Sequence, residues 1–238
     1  MIAEPISSRP GFAAINDEGY LSSILPPTAP DNARKTFCLD VGVNQGLVIF
    51  RDWLSVVPHM FAIGIEANRR LYSHHVFDNK LPQSVLDRSL ILPLAVSSTR
   101  GTAIFSTGAG WDKNISDVGS LFGWSDAKRE KLRKASTDHH QLVRLTPLKD
   151  ILKYIHPPSP PLFLWDSFKI DIQGADVDGL ISAEDYLSNF VCVIGEFQTT
   201  HYDVPNSIAT DPIPILTKQN FRMIHDGINN QVYLLTFC

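Results

Sequence analysis

The sequence predicts an α/β fold whose strands form a mostly parallel sheet. Short apolar runs alternate with amphipathic or helix-capping stretches, and this alternation is typical of strand–helix–strand units. The runs that predict buried strands lie at residues 37–40, 61–66, 89–98, 168–172 and 190–198. Two later runs, on either side of a turn at 227–230, predict an antiparallel hairpin at the C-terminal end of the sheet.

Together these elements predict a Rossmann-like, mostly parallel seven-stranded sheet with helices on both faces and a C-terminal antiparallel hairpin. Residues 1–35 are expected to form an N-terminal arm, because the prolines between positions 26 and 30 break regular structure. Residues 36–238 are expected to form a single domain. A glycine-rich and then highly charged stretch at 108–140 predicts a long insertion, with an irregular loop followed by an exposed helix.

Composition limits the classes of function. The chain has 238 residues, of which 44% are hydrophobic and 19% charged, so it can form a sizeable core. Its net charge of −4 disfavours a nucleic-acid partner. No apolar run approaches the roughly 18 residues of a membrane span, and the first residues lack the apolar segment of a signal peptide. A cytoplasmic protein is therefore expected, with its oligomeric state left open.

The stretch FCLDVGVNQG, residues 37–46, is the most informative part of the chain. It predicts a buried strand that ends at Asp40, a tight turn with Gly42, Asn44 and Gly46 at alternate positions, and the start of a helix. Glycine in such a turn allows positive φ and lets a ligand approach the backbone. Dinucleotide-binding turns carry G-x-G-x-x-G, which is incomplete here. The pattern D-x-G-x-N-x-G instead resembles motif I of class I S-adenosylmethionine (SAM) methyltransferases.

Ligands of doubly wound sheets bind at the carboxyl ends of the strands, and this rule selects further candidates. Glu66 ends the second predicted strand and suits the hydroxyls of a ribose, in a dinucleotide as well as in SAM. On the fourth strand, Lys169 shares a face with Asp171 and is expected to pair with it, while Asp176 is expected to cap the next helix. The residues expected to bind the cofactor are Asp40, Gly42, Asn44, Gly46, Glu66, Ala95, Val96 and Asp171.

In order along the chain, LDVGVNQG, IGIEAN, LPLAVSSTRGTAIF, RLTPLKDIL and FKIDIQGADVDGL resemble the FkbM family of SAM-dependent methyltransferases. The resemblance covers roughly residues 37–198 and implies SAM as cofactor and transfer of a methyl group to a hydroxyl of a small molecule or glycan. The chain departs from the family pattern at Asp176, where Glu is usual, and at residues 180–182, where Leu-Lys-Gly is frequent. These departures and the long 108–140 insertion leave the acceptor undetermined.

Methyl transfer to a hydroxyl requires alignment of the acceptor oxygen and a group that takes its proton. His201 is the predicted proton acceptor, since its ordinary pKa is suitable. Asp171 is predicted to position the acceptor, and Glu196 is the third catalytic candidate. Asp171 and Glu196 would also suit a divalent ion, but Phe197 and Gln198 follow where metal-assisted O-methyltransferases place an Asn. No metal site is therefore predicted.

Three other functions compete with this interpretation. An NAD(P)-dependent oxidoreductase would share the fold and the acid at Glu66, but the glycine spacing disfavours it. An RNA methyltransferase, for example of the 2′-O type, would need a basic groove. A non-catalytic binding fold is disfavoured by the intact acidic and glycine positions. Residues 108–140, which contain Trp111 and Trp124, are expected to form part of the acceptor pocket or its lid.

Overall fold

A computed structural model describes residues 36–44, 49–58, 60–78, 81–107, 119–122, 139–153, 165–197, 204–226 and 231–236. The strands within these residues are β1 (Thr36–Val41), β2 (Met60–Ile65), β3 (Ser89–Leu92), β4 (Ala95–Val96), β5 (Gly101–Thr107), β6 (Gly119–Ser120), β7 (His139–Thr146), β8 (Trp165–Ile170), β9 (Phe190–Gly195), β10 (Phe221–Asp226) and β11 (Gln231–Leu235).

The helices of the described residues are mostly short. They are α1 (Leu54–Val56), preceded by a π-helical turn over Ile49–Trp53; α2 (Arg69–Ser73), continued by a π-helical turn over His74–Asp78; α3 (Gln83–Leu86); α4 (Leu148–Leu152); α5 (Asp176–Ala183), followed by a 3₁₀ turn over Glu184–Asn189; and α6 (Ile213–Lys218). The Asn68 side chain accepts a hydrogen bond from the Arg70 N–H (3.1 Å) and caps α2. Among the described helices, none is long and apolar enough to cross a membrane.

Seven strands form the main sheet in the order β10-β11-β9-β8-β1-β2-β3. The pairs β1–β2, β2–β3, β1–β8 and β8–β9 are parallel, whereas β11 pairs antiparallel with both β9 and β10. The two C-terminal strands therefore close a parallel sheet as an antiparallel hairpin. This arrangement confirms the predicted fold class.

Side chains of the central strands alternate between two cores, one on each face of the sheet. In β1, Leu39 and Val41 pack with residues of α4, α5 and α6, while Cys38 packs on the opposite face with residues of the first helical segment. β2 follows the same rule, since Ile63 lies in the first core and Ala62 in the second. The sheet thus has helices on both faces, which explains why β1 and β2 carry apolar residues on both of their faces.

The third predicted strand, residues 89–98, is divided in the structure. β3 ends at Leu92, and Pro93 follows, which has no N–H to donate to a neighbouring strand. The Leu94 N–H donates to the Leu92 carbonyl (3.0 Å), which turns the chain, and β4 then joins a second sheet. The prediction of one continuous strand to Ser98 was therefore wrong.

The second sheet has the order β4-β7-β5-β6 and includes parts of the predicted insertion. β6 pairs with β5 through Ser106–Ser120 and Thr107–Gly119, and β7 begins at His139, so these parts of 108–140 are strands. An irregular loop at 119–120 was therefore a wrong prediction. The rest of the insertion, apart from 121–122, the predicted exposed helix and the arm at 1–35 lie outside the described residues.

Candidate functional site

A cleft opens at the carboxyl ends of β1, β2 and β8, the place where ligands bind in doubly wound sheets. It encloses about 560 Å³ including its open mouth. The strand ends contribute Gly42, Glu66 and Asp171, while Phe105 of β5 and Gly119 of β6 belong to the second sheet. Both sheets therefore contribute to the cleft, and the insertion takes part in its wall.

Asp40 at the end of β1 is paired with Lys169 of β8. The Lys169 ammonium lies 2.9 Å from Asp40 Oδ1 and 3.0 Å from the Gly42 carbonyl oxygen. Burial raises the pKa of the Asp40 carboxyl, and Lys169 partly offsets that rise. The prediction that Lys169 pairs with Asp171 was wrong, because the β1–β8 register places Asp40 directly opposite Lys169. Asp40, 1% exposed, is not among the residues that line the cleft.

Gly42 begins the turn after β1 with a φ of +84°. A Cβ at this position would lie 1.9 Å from the Asp171 carbonyl oxygen, so no other residue fits without displacing the backbone. The Asp171 N–H donates to the Val41 carbonyl (2.9 Å), which fixes this close approach. The glycine is thus required by the contact between two turns, and not only by space for a ligand as the sequence suggested.

Glu66 after β2 is held by two backbone hydrogen bonds. Its Oε2 accepts from the Asn44 N–H (3.1 Å) and its Oε1 from the Asn68 N–H (2.8 Å). Burial raises the pKa of this carboxyl to about 7, although the two hydrogen bonds oppose the shift. A carboxylate has about four acceptor positions, so each oxygen retains the capacity to accept a ligand hydroxyl.

The turn after β8 is fixed by side chains at both ends. The Gln173 amide donates to Asp171 Oδ1, and the Asp176 carboxylate accepts from the N–H groups of Ile172 (2.7 Å) and Gly174 (3.0 Å). Asp176 is the first residue of α5, and Ala175 occupies the cap position without a side-chain bond. The prediction that Asp176 caps this helix was therefore wrong, because its carboxylate binds the turn instead. Burial raises the pKa of Asp176 to about 7.

Only some of the other predicted site residues lie at the cleft in the described part of the chain. Asn44, Ala95 and Val96 line the cleft, the last two from β4 rather than from the end of the third strand. Glu196 follows β9 and is not among the described residues that line the cleft. Gly46 and His201 lie outside the described residues. In the described ranges, no group of three or more His, Cys, Asp or Glu is placed to hold a metal ion.

Sequence reasoning did not select several residues of the site. Asn68 lines the cleft and bonds Glu66, and its position two residues after that acid was the available signal. Gln141 of β7 accepts from the Arg69 N–H (3.1 Å) and contacts Asn68 Oδ1 (3.4 Å), which no local pattern indicates. His75 is fully buried, and neither ring nitrogen has a hydrogen-bond partner in the described part of the chain. Burial lowers the pKa of His75 to about 4.

The charge of the cleft lining is one-sided. Among the described lining residues, Glu66 and Asp171 are acidic and none is Lys, Arg or His. The nearest cation of the network, Lys169, is bound to Asp40 and to the Gly42 carbonyl. The cleft thus offers hydrogen-bond acceptors and negative charge, which suit hydroxyl groups and cations.

Several solved structures align with the chain. A crystal structure of a methyltransferase FkbM from Methylobacillus flagellatus KT is 12% identical with a TM-score of 0.47, and the alignment covers 84% of this chain and 44% of that one. This chain thus spans less than half the length of that protein. A crystal structure of the antibiotic-resistance methyltransferase Kmr is 11% identical with a TM-score of 0.41, covering 86% of this chain and 89% of that one. No curated protein matches the chain.

The family model of the methyltransferase FkbM domain matches residues 40–223. This match covers more than half of the chain and extends from the Asp40 turn into β10, so it contains the cleft described above. The resemblance predicted from LDVGVNQG and FKIDIQGAD is thereby confirmed. This chain belongs to the FkbM methyltransferase domain family.

Proposed function

We propose that this chain is a SAM-dependent methyltransferase that transfers a methyl group to a hydroxyl oxygen of a small molecule or glycan. The observation that carries the proposal is the lining of the cleft, which has carboxylates and no basic side chain among its described residues. A dinucleotide would place a diphosphate close to these acids, whereas SAM brings an ammonium, a sulfonium and ribose hydroxyls. Family membership supports the same conclusion.

The residues of the cleft fit SAM by their chemistry. Glu66 is the proposed acceptor for the ribose hydroxyls, because its two backbone bonds leave acceptor positions on both oxygens. The turn from Gly42 to Asn44 is proposed to face the amino-acid part of the cofactor, together with Gly46. The apolar wall that includes Ala95, Val96 and Phe105 suits a flat heterocycle. Asp40 acts indirectly, since its pairing with Lys169 holds the β1 and β8 turns together.

SAM, when bound, supplies a methyl group on a sulfonium that is already electrophilic. The protein must therefore orient the acceptor hydroxyl and remove its proton. Asp171 at the cleft is the proposed orienting group, with Oδ1 occupied by Gln173 and Oδ2 without a partner in the described part of the chain. His201 remains the proposed proton acceptor, with Glu196 as the alternative.

A labelling experiment tests the type of transfer. The protein is incubated with SAM carrying a ¹³C methyl group and with sugars, polyols and phenols in turn, and the product is examined by ¹³C NMR. The proposal predicts a resonance of an O-methyl group and release of S-adenosylhomocysteine. Asp171→Asn should lower transfer by about 10²-fold or more. Label on nitrogen or carbon would contradict hydroxyl transfer, and label on a 2′-oxygen of added RNA would favour the RNA alternative.

A further inference from the structure

Ser120 connects the insertion to the turn after β8. It belongs to β6, which pairs with β5 of the second sheet, and its side chain is fully buried. Its hydroxyl donates to the Gln173 carbonyl (2.6 Å) and accepts from the Phe122 N–H (3.0 Å), so both functions of the hydroxyl are used. The flanking residues Gly119 and Leu121 line the cleft. The short strand thus anchors one wall of the cleft to the turn that carries Asp171.

Gln173 is constrained at both its backbone and its side chain. Its φ of +58° lies in the left-handed region, which is uncommon for a residue with a Cβ and several-fold enriched in Asn. The carbonyl is held by Ser120, and the side-chain amide donates to Asp171 Oδ1. A glutamine in this conformation therefore carries a backbone cost that an asparagine would reduce. Its side-chain length is what brings the donor to Asp171.

Asp171 has one oxygen bound and one available. Oδ1 accepts from Gln173, and Oδ2 has no hydrogen-bond partner in the described residues. The charged groups that interact with it electrostatically are Lys169 on β8, Asp40 on β1 and Asp176 on α5. None of these three donates a hydrogen bond to Asp171 in the described part of the chain, so Gln173 is the group that fixes the orientation of the carboxylate.

We propose that Gln173 is a positioning residue that directs Asp171 Oδ2 toward the acceptor hydroxyl, and that Ser120 is the residue through which the insertion holds Gln173 in place. The inference rests on the proposed function, in which Asp171 orients the acceptor. It gives the insertion a specific role, since a change in β6 would reach the reacting groups through two hydrogen bonds. The part of the insertion that forms β6 then supports the catalytic groups.

The NMR signal of the Asp171 carboxyl carbon tests this chain of contacts without requiring an acceptor. The carboxyl chemical shift of Asp171 is measured by ¹³C NMR of the full chain labelled at aspartate carboxyl carbons, with Asp171→Asn to assign the signal. Gln173→Met removes the donor at similar size, and Gln173→Asn keeps an amide that is too short. Both should change the carboxyl chemical shift of Asp171 relative to the wild type, because Oδ1 loses its hydrogen bond. Gln173→Asn should melt at or above the wild-type temperature.

The control is another hydrogen bond between a glutamine and an aspartate, elsewhere in the chain. Gln83 donates to Asp87 (2.7 Å) on the exposed surface of α3, so Gln83→Met should leave the Asp171 signal unchanged. Ser120→Ala should shift Asp171 in the same direction as the Gln173 variants. An unchanged chemical shift of Asp171 in both Gln173 variants overturns the proposal, and an unchanged chemical shift in Ser120→Ala alone removes the insertion from it. Calorimetric titration of the same proteins with SAM tests the proposed function independently of the Asp171 signal.

Discussion

The ammonium of Lys169 lies 2.9 Å from Oδ1 of Asp40, which is 1% exposed, and 3.0 Å from the Gly42 carbonyl oxygen. Burial lowers the pKa of Lys169, but the carboxylates of Asp40 and Asp171 outweigh burial and leave that pKa above its ordinary value. One lysine therefore neutralises the buried acid of β1 and joins it to β8. The geometry of both turns at the cleft depends on this pair.

Removal of Lys169 should leave a buried and unpaired carboxylate. We expect Lys169→Met to lower the free energy of unfolding by about 3–5 kcal/mol, measured by urea denaturation. The double variant Asp40→Asn/Lys169→Met should recover much of this loss. Lys149→Met is the control, because Lys149 pairs with Glu184 on the surface and should cost at most about 1 kcal/mol. Equal losses in the two single variants would contradict a special role for the buried pair.

Gly42 should tolerate no side chain. Gly42→Ala places a Cβ against the Asp171 carbonyl oxygen and requires a residue with a Cβ to adopt a φ of +84°. We expect a loss of more than about 1 kcal/mol of stability, together with loss of SAM binding. Gly101→Ala separates the two causes, because Gly101 also has positive φ but a Cβ there would meet nothing within 4 Å. A Gly42→Ala protein as stable as Gly101→Ala would show that the clash is relieved.

SAM affinity should depend on pH through Glu66. A carboxyl with a pKa of about 7 is mostly ionised near pH 8 and mostly protonated near pH 6, and the ionised form is the stronger acceptor for ribose hydroxyls. Affinity should therefore fall about tenfold as the pH decreases over this range. Glu66→Gln keeps the size of the side chain and should bind weakly at both pH values. A wild-type SAM affinity that is independent of pH would show that the ionised Glu66 carboxylate does not contribute to binding.

Gln141 should support the cofactor site from the second sheet. Its amide contacts Asn68 Oδ1 and the Arg69 N–H, and the Asn68 N–H donates to Glu66. We expect Gln141→Leu to weaken SAM binding by about threefold to tenfold in calorimetry, because Asn68 loses its contact with the Gln141 amide. Gln231→Leu, which removes a contact to Asp226 on the terminal hairpin, should have no effect on binding. Equal binding by both variants would contradict the coupling between β7 and Glu66.

Much of the fold follows from local patterns in the sequence. The alternation of Leu39 and Cys38 between two cores is visible as a continuous apolar strand, and the cap at Asn68 and the C-terminal hairpin have local signals. The division of residues 89–98 also had a local signal at Pro93. The run was assigned to one strand because its apolar residues continue on both sides of the proline.

The contacts between elements far apart in the sequence could not be predicted from local patterns. Lys169 shares a strand face with Asp171, but the parallel register with β1 decides that its partner is Asp40. Ser120 lies in a glycine-rich stretch without periodicity, and only its pairing with β5 makes it a strand. Hydrogen bonds between residues far apart in the sequence, such as that from Ser120 to Gln173, depend on tertiary packing. The sequence therefore selected most of the proposed cofactor residues that line the cleft and missed several that hold them in place.

Calorimetry with SAM, S-adenosylhomocysteine, NAD and NADP tests the central claim most directly, and it is carried out on the wild-type chain and on Glu66→Ala. Glu184→Ala serves as the control, because that acid lies on the surface beside Lys149. We predict that the wild type binds SAM and S-adenosylhomocysteine but neither dinucleotide, and that Glu66→Ala binds SAM about 10–100-fold more weakly. Binding of NAD or NADP without binding of SAM, or a Glu66→Ala affinity within about threefold of the wild type, would contradict the account.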